Sequence, residues 1–174
     1  MDSDEQGRFE RVALPHLDAA YNLARWLVRD EHTAEDVVQE AFWRAAQFFA
    51  SFRGGDGRTW LLTVVRRVCC DWAQRWRARV GTASFDEDTH SPRDDSSDPE
   101  YLAIRKDNLD LLRRAVEELA PEHREVIVLR ELEGLSYQQI AAVTEVPVGT
   151  VMSRLSRARK QLQKRLSPCP GGED

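Results

Sequence analysis

Apolar residues recur every three or four positions through most of this chain, which is the period of an amphipathic helix. Leu17, Ala20, Tyr21, Ala24, Leu27 and Val28 form one such face. Ala34, Val37, Val38, Ala41, Phe42, Ala45 and Phe49 form the next, with Thr33 placed to cap that helix and Glu35 and Asp36 in its positively polarised first turn. Gly54-Gly55-Asp56-Gly57 then breaks the pattern. A third helix is expected from about Thr59, where Leu61, Val65, Val68 and Trp72 resume the spacing.

Four more helices are expected in the second half. Leu102, Leu109, Leu112, Val116 and Leu119 mark the first, which ends before Pro121. Pro121 suits the first turn of the next, whose core side includes Val126, Leu129 and Leu132. Gly134 closes it, and Ser136 with Gln139 makes a capping box for a short helix. A turn at Thr144-Glu145-Val146 leads to a long helix from near Pro147. Nothing reads as strand, so the expected class is all-α.

Composition divides the pattern into two parts. The 174 residues allow one ordinary domain or two small ones. Formal charge is -5, which taken alone argues against phosphate binding. The charge is unevenly placed, however. Ser84 to Glu100 holds seven acids against Arg93, a net of -6 in seventeen residues, so everything outside it sums to +1. Ser, Pro and Asp dominate there and Phe85 is its one large apolar residue, too little to offset the entropy of ordering. The expected organisation is two small helical domains, 1–83 and 101–168, joined by a flexible acidic linker at 84–100 and followed by a tail at 169–174.

Other function classes lack the residues they require. No run of eighteen apolar residues occurs, so no membrane span is expected, and MDSDEQGR does not resemble a signal peptide. Cys69, Cys70 and Cys169 make neither a disulfide framework nor a zinc set, so a reduced, cytoplasmic protein is expected, with at least one of the adjacent pair in the core. His16, His32, His90 and His123 stand in no ligand or triad spacing, and the glycine run lies between helices rather than after a strand. No enzyme activity, cofactor, metal or small-molecule substrate is expected.

The chemistry concentrates between Ser136 and Leu166. A short helix, a three-residue turn and a long helix have helix-turn-helix spacing. On the long helix Val148, Val151, Leu155, Ala158, Leu162 and Leu166 share one side, while Ser153, Arg157, Lys160 and Lys164 lie opposite, flanked by Thr150 and Ser156. Six bases and no acid lie between Pro147 and Leu166. Such a helix can dock its apolar side on a helix pair and present Arg157 to a guanine, with further Arg and Lys on phosphates.

With these residues identified, the chain resembles an extracytoplasmic-function sigma factor of the bacterial sigma-70 family over about residues 9 to 166. AEDVVQEAFWRA (Ala34 to Ala45) is similar to the family's polymerase-binding helix, and FRGGDGRTWLLTVVRRVCCDW (Phe52 to Trp72) to its promoter-melting segment. LAPEHREVIVLRELEGLSYQQIAAVTEVPVGTVMSRLSRARKQL is similar to its minus-35-binding domain, a winged-helix-like helix-turn-helix of four helices. The resemblance implies that Glu35, Asp36, Gln39, Glu40, Trp43 and Arg44 dock on the β and β′ subunits of core RNA polymerase. It implies that Arg53, Asp56, Arg58, Trp60, Arg66, Arg67, Asp71 and Arg75 bind and melt minus-10 DNA; Trp60 itself reads as a packed residue of the helix start in preference to a melting wedge. Thr150, Met152, Ser153, Arg154, Ser156, Arg157, Arg159, Lys160 and Lys164 would contact the minus-35 element, and an anti-sigma factor is an implied partner. Two positions depart from the pattern: Arg67 stands where relatives commonly have Asn, and Met152 where they often have Arg. The promoter preference is expected to differ accordingly. A stand-alone helix-turn-helix regulator and a protein-binding adaptor are the competing readings.

Overall fold

The computed structural model describes residues 3–80 and 109–167; the expected acidic linker and tail, with Leu102 and Cys169, lie outside them. Among the described residues every regular element is a helix. The first is α1 (Ser3–Ala13), where no apolar stripe announces one: Phe9, Val12 and Ala13 are its apolar residues, and Phe9 and Ala13 are buried. A single 3₁₀ turn leads into α2 (Leu17–Val28), which buries Ala19, Ala20, Leu23, Ala24 and Val28. The expected face is thus turned slightly toward Leu23, leaving Leu17 at 44% exposure.

The next helix, α3 (Glu31–Gln47), is capped by Asp30 and not by Thr33: the Asp30 carboxylate accepts the Thr33 backbone N–H at 2.7 Å. Thr33 is therefore the third helical residue and a donor to the cap. Ala34, Val37, Val38, Ala41 and Ala45 are buried as the spacing predicts, and Phe49 follows them into the core from a short 3₁₀ turn. Gly54 and Gly55 take φ of 91° and 102°, a region L side chains avoid, and turn the chain into α4 (Gly57–Val80). Phe49 meets Trp60 edge-on at 5.9 Å and Phe52 meets it at 5.0 Å, so Trp60 packs the start of α4.

The second set begins with α5 (109–117), of which Ala115 and Val116 are buried while Leu109 and Leu112 are exposed. Pro121 opens α6 (Pro121–Ile127) at its first position. The helix then widens into a π turn, Val128–Leu132, closed by the Glu133 N–H on the Val128 carbonyl at 3.1 Å. A π turn rotates less per residue than an α turn, so Leu132 falls behind the apolar face and is 56% exposed, against the expected core position. Gly134 at φ 66° and the Leu135 N–H on the Leu129 carbonyl end the helix and deliver Leu135 to the core. The expected capping box is present: Ser136 and Gln139 exchange side-chain and backbone bonds at the start of α7 (Tyr137–Thr144). The last element, α8 (Val148–Leu166), follows Pro147.

Helices α2, α3 and α4 pack on one another, α8 packs on both α6 and α7, and α4 lies against α7 with α2 against α6. One buried cluster therefore runs from Phe9 to Ala158 through both domains. No described helix is long and apolar enough to cross a membrane.

Candidate nucleic-acid interface

The capping box fixes where α7 starts, and Glu145 in the left-handed region (φ 57°) fixes where it stops. That turn sets α8 across α7, burying Val151, Leu155 and Ala158. The opposite side is open: Met152, Ser153, Ser156, Arg157, Lys160 and Lys164 are exposed, and Thr150 and Arg154 half-buried. The Ser153 hydroxyl donates to the Thr150 carbonyl at 2.9 Å, which holds its oxygen at the surface. Arg159 is exposed too but donates twice to Glu131, at 3.2 and 2.7 Å, so it is tied to its own domain. Met152, 53% exposed, offers an apolar surface where a cation was the family's pattern.

The second constellation lies on the Gly54–Asp56 loop and α4. The Asp56 carboxylate accepts the Arg58 N–H at 3.0 Å and the Thr59 hydroxyl at 2.5 Å. Those bonds, the Thr59 hydroxyl first, hold its carboxyl below the usual carboxylate range. Beside it an open cleft of about 590 Å³ is lined by Phe52, Arg53 and Trp60 from the first domain and by Gln138, Gln139 and Ala142 from α7. Arg67 and Arg75 are exposed along α4 and Arg66 is half-buried.

The polar strip of α3 is where the sequence puts it. Glu35, Asp36 and Gln39 are exposed and Trp43 is 62% exposed, outside the core. Arg44 donates to Asp71 at 2.7 Å and to Glu40 at 2.5 Å, and Arg75 reaches Glu40 at 3.5 Å. These four residues, two expected at polymerase and two at minus-10 DNA, form one network joining α3 to α4.

The groups that sequence reasoning missed are the acids facing α4 from the second domain. Arg66 Nε donates to Glu125 at 2.5 Å, Arg58 to Glu133 at 2.5 Å, and Arg67 to Glu145. Glu133 also accepts from Asn22 at 3.4 Å, and Asp56 from Gln139 at 2.6 Å. Burial pushes the Glu125 carboxyl above its ordinary value despite Arg66, whereas the Arg67 bond draws Glu145 below its own. Arg124, nearby and 5% exposed, donates to the carbonyls of Trp26 and Leu119, and burial pushes it down to about 10. The one available signal was Glu145, an acid in a turn that favours Gly or Asn. Cys69 is buried and Cys70 exposed; burial raises both thiols, so neither has a reactive thiolate's environment.

Residues 13–79 match the family model for sigma-70 region 2, and residues 109–162 that for sigma-70 region 4. The chain is 32% identical over 159 residues to the ECF RNA polymerase sigma factor SigE of Mycolicibacterium smegmatis, covering 91% of this chain and 62% of that protein. It is 34% identical over 140 residues to the ECF RNA polymerase sigma-E factor of Escherichia coli (strain K12), covering 76% and 73%. Among solved structures it is similar to the sigma factor RpoE in complex with the anti-sigma factor NepR from Bartonella quintana, with a TM-score of 0.78, 27% identity and coverage of 93% of this chain and 98% of that one. By these matches the chain belongs to the sigma-70 family and to its extracytoplasmic-function group, with region 2 in its N-terminal helices and region 4 in its C-terminal ones.

Proposed function

We propose that this protein directs core RNA polymerase to a set of promoters, reading a minus-35 element with α8 and a minus-10 element with the Gly54–Asp56 loop and α4. The observation that carries the reading is α8, with an apolar side buried on its own domain and Ser153, Arg157, Lys160 and Lys164 exposed opposite. Arg157 reads a base edge in the major groove while Lys160 and Lys164 hold phosphates. At minus-10, unstacking a base costs a few kcal/mol, which contacts in the cleft beside Asp56 and Trp60 offset while Arg66, Arg67 and Arg75 hold the strand. Glu35, Asp36, Gln39 and Trp43 supply the face for the polymerase β and β′ subunits, an aromatic anchor within a charged rim. The protein acts by binding and not by catalysis. An anti-sigma factor is the partner expected to restrain it, as NepR is bound to RpoE in the similar structure.

Transcription with purified core polymerase, followed by mapping of start sites, tests this reading. Initiation from defined promoters, lost in Trp43→Ala and in Ser153→Ala with Arg157→Ala, is the expected result. Tight sequence-specific binding to duplex DNA without polymerase, and no co-elution with it, would favour a stand-alone regulator instead. Transcription unchanged in the α8 variant would favour an adaptor.

A further inference from the structure

In this conformation the basic residues of α4 are already in contact with carboxylates, and those carboxylates belong to the other domain. Glu125 in α6, Glu133 after the π turn and Glu145 in the helix-turn-helix turn come from three separate elements. They meet Arg66, Arg58 and Arg67, the first and second pairs at 2.5 Å, while Arg66 Nη1 lies 3.7 Å from Glu145. The Gln139 side-chain amide donates to Asp56 at 2.6 Å, and Gln138, Gln139 and Ala142 wall the cleft at the glycine loop.

Two features mark this contact as more than the docking of two helical surfaces. Glu145 keeps a left-handed backbone, where glycine or asparagine is least strained, and its carboxylate is the group that spans Arg66 and Arg67. In the same interface Arg124 is buried with two backbone carbonyls for partners and its Nε unsatisfied. A buried guanidinium without a carboxylate weakens the contact. The domains thus share a buried apolar cluster and are joined along α4 by ionic links that a competing polyanion can replace, in an interface where Arg124 retains a cost of its own. The outer side of α8, by contrast, stays open.

We infer that Glu125, Glu133 and Glu145 take the place of promoter phosphates on Arg66, Arg58 and Arg67, so that the free chain closes its own minus-10 surface while leaving its minus-35 surface exposed. The inference rests on the reading of α4 as the minus-10 surface. It assigns to the chain itself, without a second protein, an occlusion of α4 that opens when polymerase or DNA competes for the arginines.

The test uses the full chain with Glu133→Gln and Glu145→Gln combined, changes that keep side-chain volume and leave the buried Glu125, whose neutralisation favours the packed state, as it is. Small-angle scattering reads opening, and fluorescence anisotropy with a labelled oligodeoxythymidylate reads access to α4. The variant is expected to expand and to bind the oligonucleotide about tenfold tighter, the gain when the competent fraction rises from about a tenth to nearly all. Should the double variant melt, Glu145→Gln alone, at a half-exposed site, is expected to give a smaller gain in the same direction. Unchanged affinity, whether or not the chain expands, overturns the inference. A parallel arm separates this from the underlying reading: Arg66→Ala with Arg67→Ala is assayed for transcription with core polymerase. Normal initiation there removes α4 as the minus-10 surface, whereas lost initiation together with unchanged oligonucleotide affinity in the double variant removes only the closure.

Discussion

Gly57 shows how a single residue ties the first helix to the candidate minus-10 loop. A Cβ at this position would lie 2.6 Å from Val12 Cγ1 and 3.2 Å from the Val12 carbonyl oxygen. The side chain could rotate away, but the carbonyl belongs to α1 and cannot. Gly57→Ala is therefore expected to destabilise the protein by about 1–3 kcal/mol, the usual range for overpacking. Denaturant unfolding measures it, and a shift below half a kcal/mol would mean that α1 is free to move off α4. Neither α1 nor this contact was legible beforehand. With Phe9, Val12 and Ala13 alone among polar residues there is no stripe to count, and a close approach between segments more than forty positions apart leaves no local mark. The same limit explains the cap of α3. Asp30 and Thr33 are both good cap residues, and only the backbone geometry at Asp30 (φ -137°, ψ 133°) decides between them.

At the scale of elements, α7 and α8 were almost fully legible, because each of their boundaries carries chemistry of its own. The capping box, the turn and the proline at 147 are local signals, and the 3.6-residue period separates Val151, Leu155 and Ala158 from Ser153, Arg157 and Lys160. The stretch before them was not legible to the same degree. Leu132 obeys the α period by sequence, yet the π turn at Val128–Leu132 carries it outward, and no composition marks a π turn. The division of labour along α8 gives a prediction that belongs to this scale. Arg157→Ala is expected to cost about 1–3 kcal/mol in promoter binding by the polymerase complex and to relax preference at one base pair. Lys164→Ala, about two turns further along, is expected to weaken all sequences alike and to lower the slope of log affinity against log salt by about one. Affinity measured across single-base promoter variants at several salt concentrations distinguishes them. Equal, sequence-independent losses in both would make α8 a phosphate clamp and move base readout elsewhere.

The charge of the whole molecule is best understood by where opposite charges meet. The acids that contact α4 were invisible in the sequence because pairing across domains depends on their placement, and Glu125 or Glu133 reads locally as an ordinary helix-surface acid. Their titration makes the domain contact depend on pH in two opposed steps. Glu145 and Asp56 titrate below their ordinary values, held by Arg67 and by the Thr59 hydroxyl respectively. What they add is complete above the ordinary carboxylate range and is lost as pH falls through the lowered values. Glu125 is the reverse. Burial raises it against the pull of Arg66 and Arg154 and with the push of Glu122, so its cost is complete at neutral pH and is relieved as pH falls through the raised value. Acidification from neutrality is therefore expected first to hold or strengthen the packing of α7 on α4, and then to release it below about pH 4, where exposed carboxylates protonate. Hydrogen exchange of the α7 amides, corrected for intrinsic rates, follows this directly. Glu125→Gln should abolish the first step and keep the second. A steady loss of protection beginning just below neutrality in the native chain, absent in Glu125→Gln, would show instead that the Arg66–Glu125 bridge outweighs the burial of its own carboxylate.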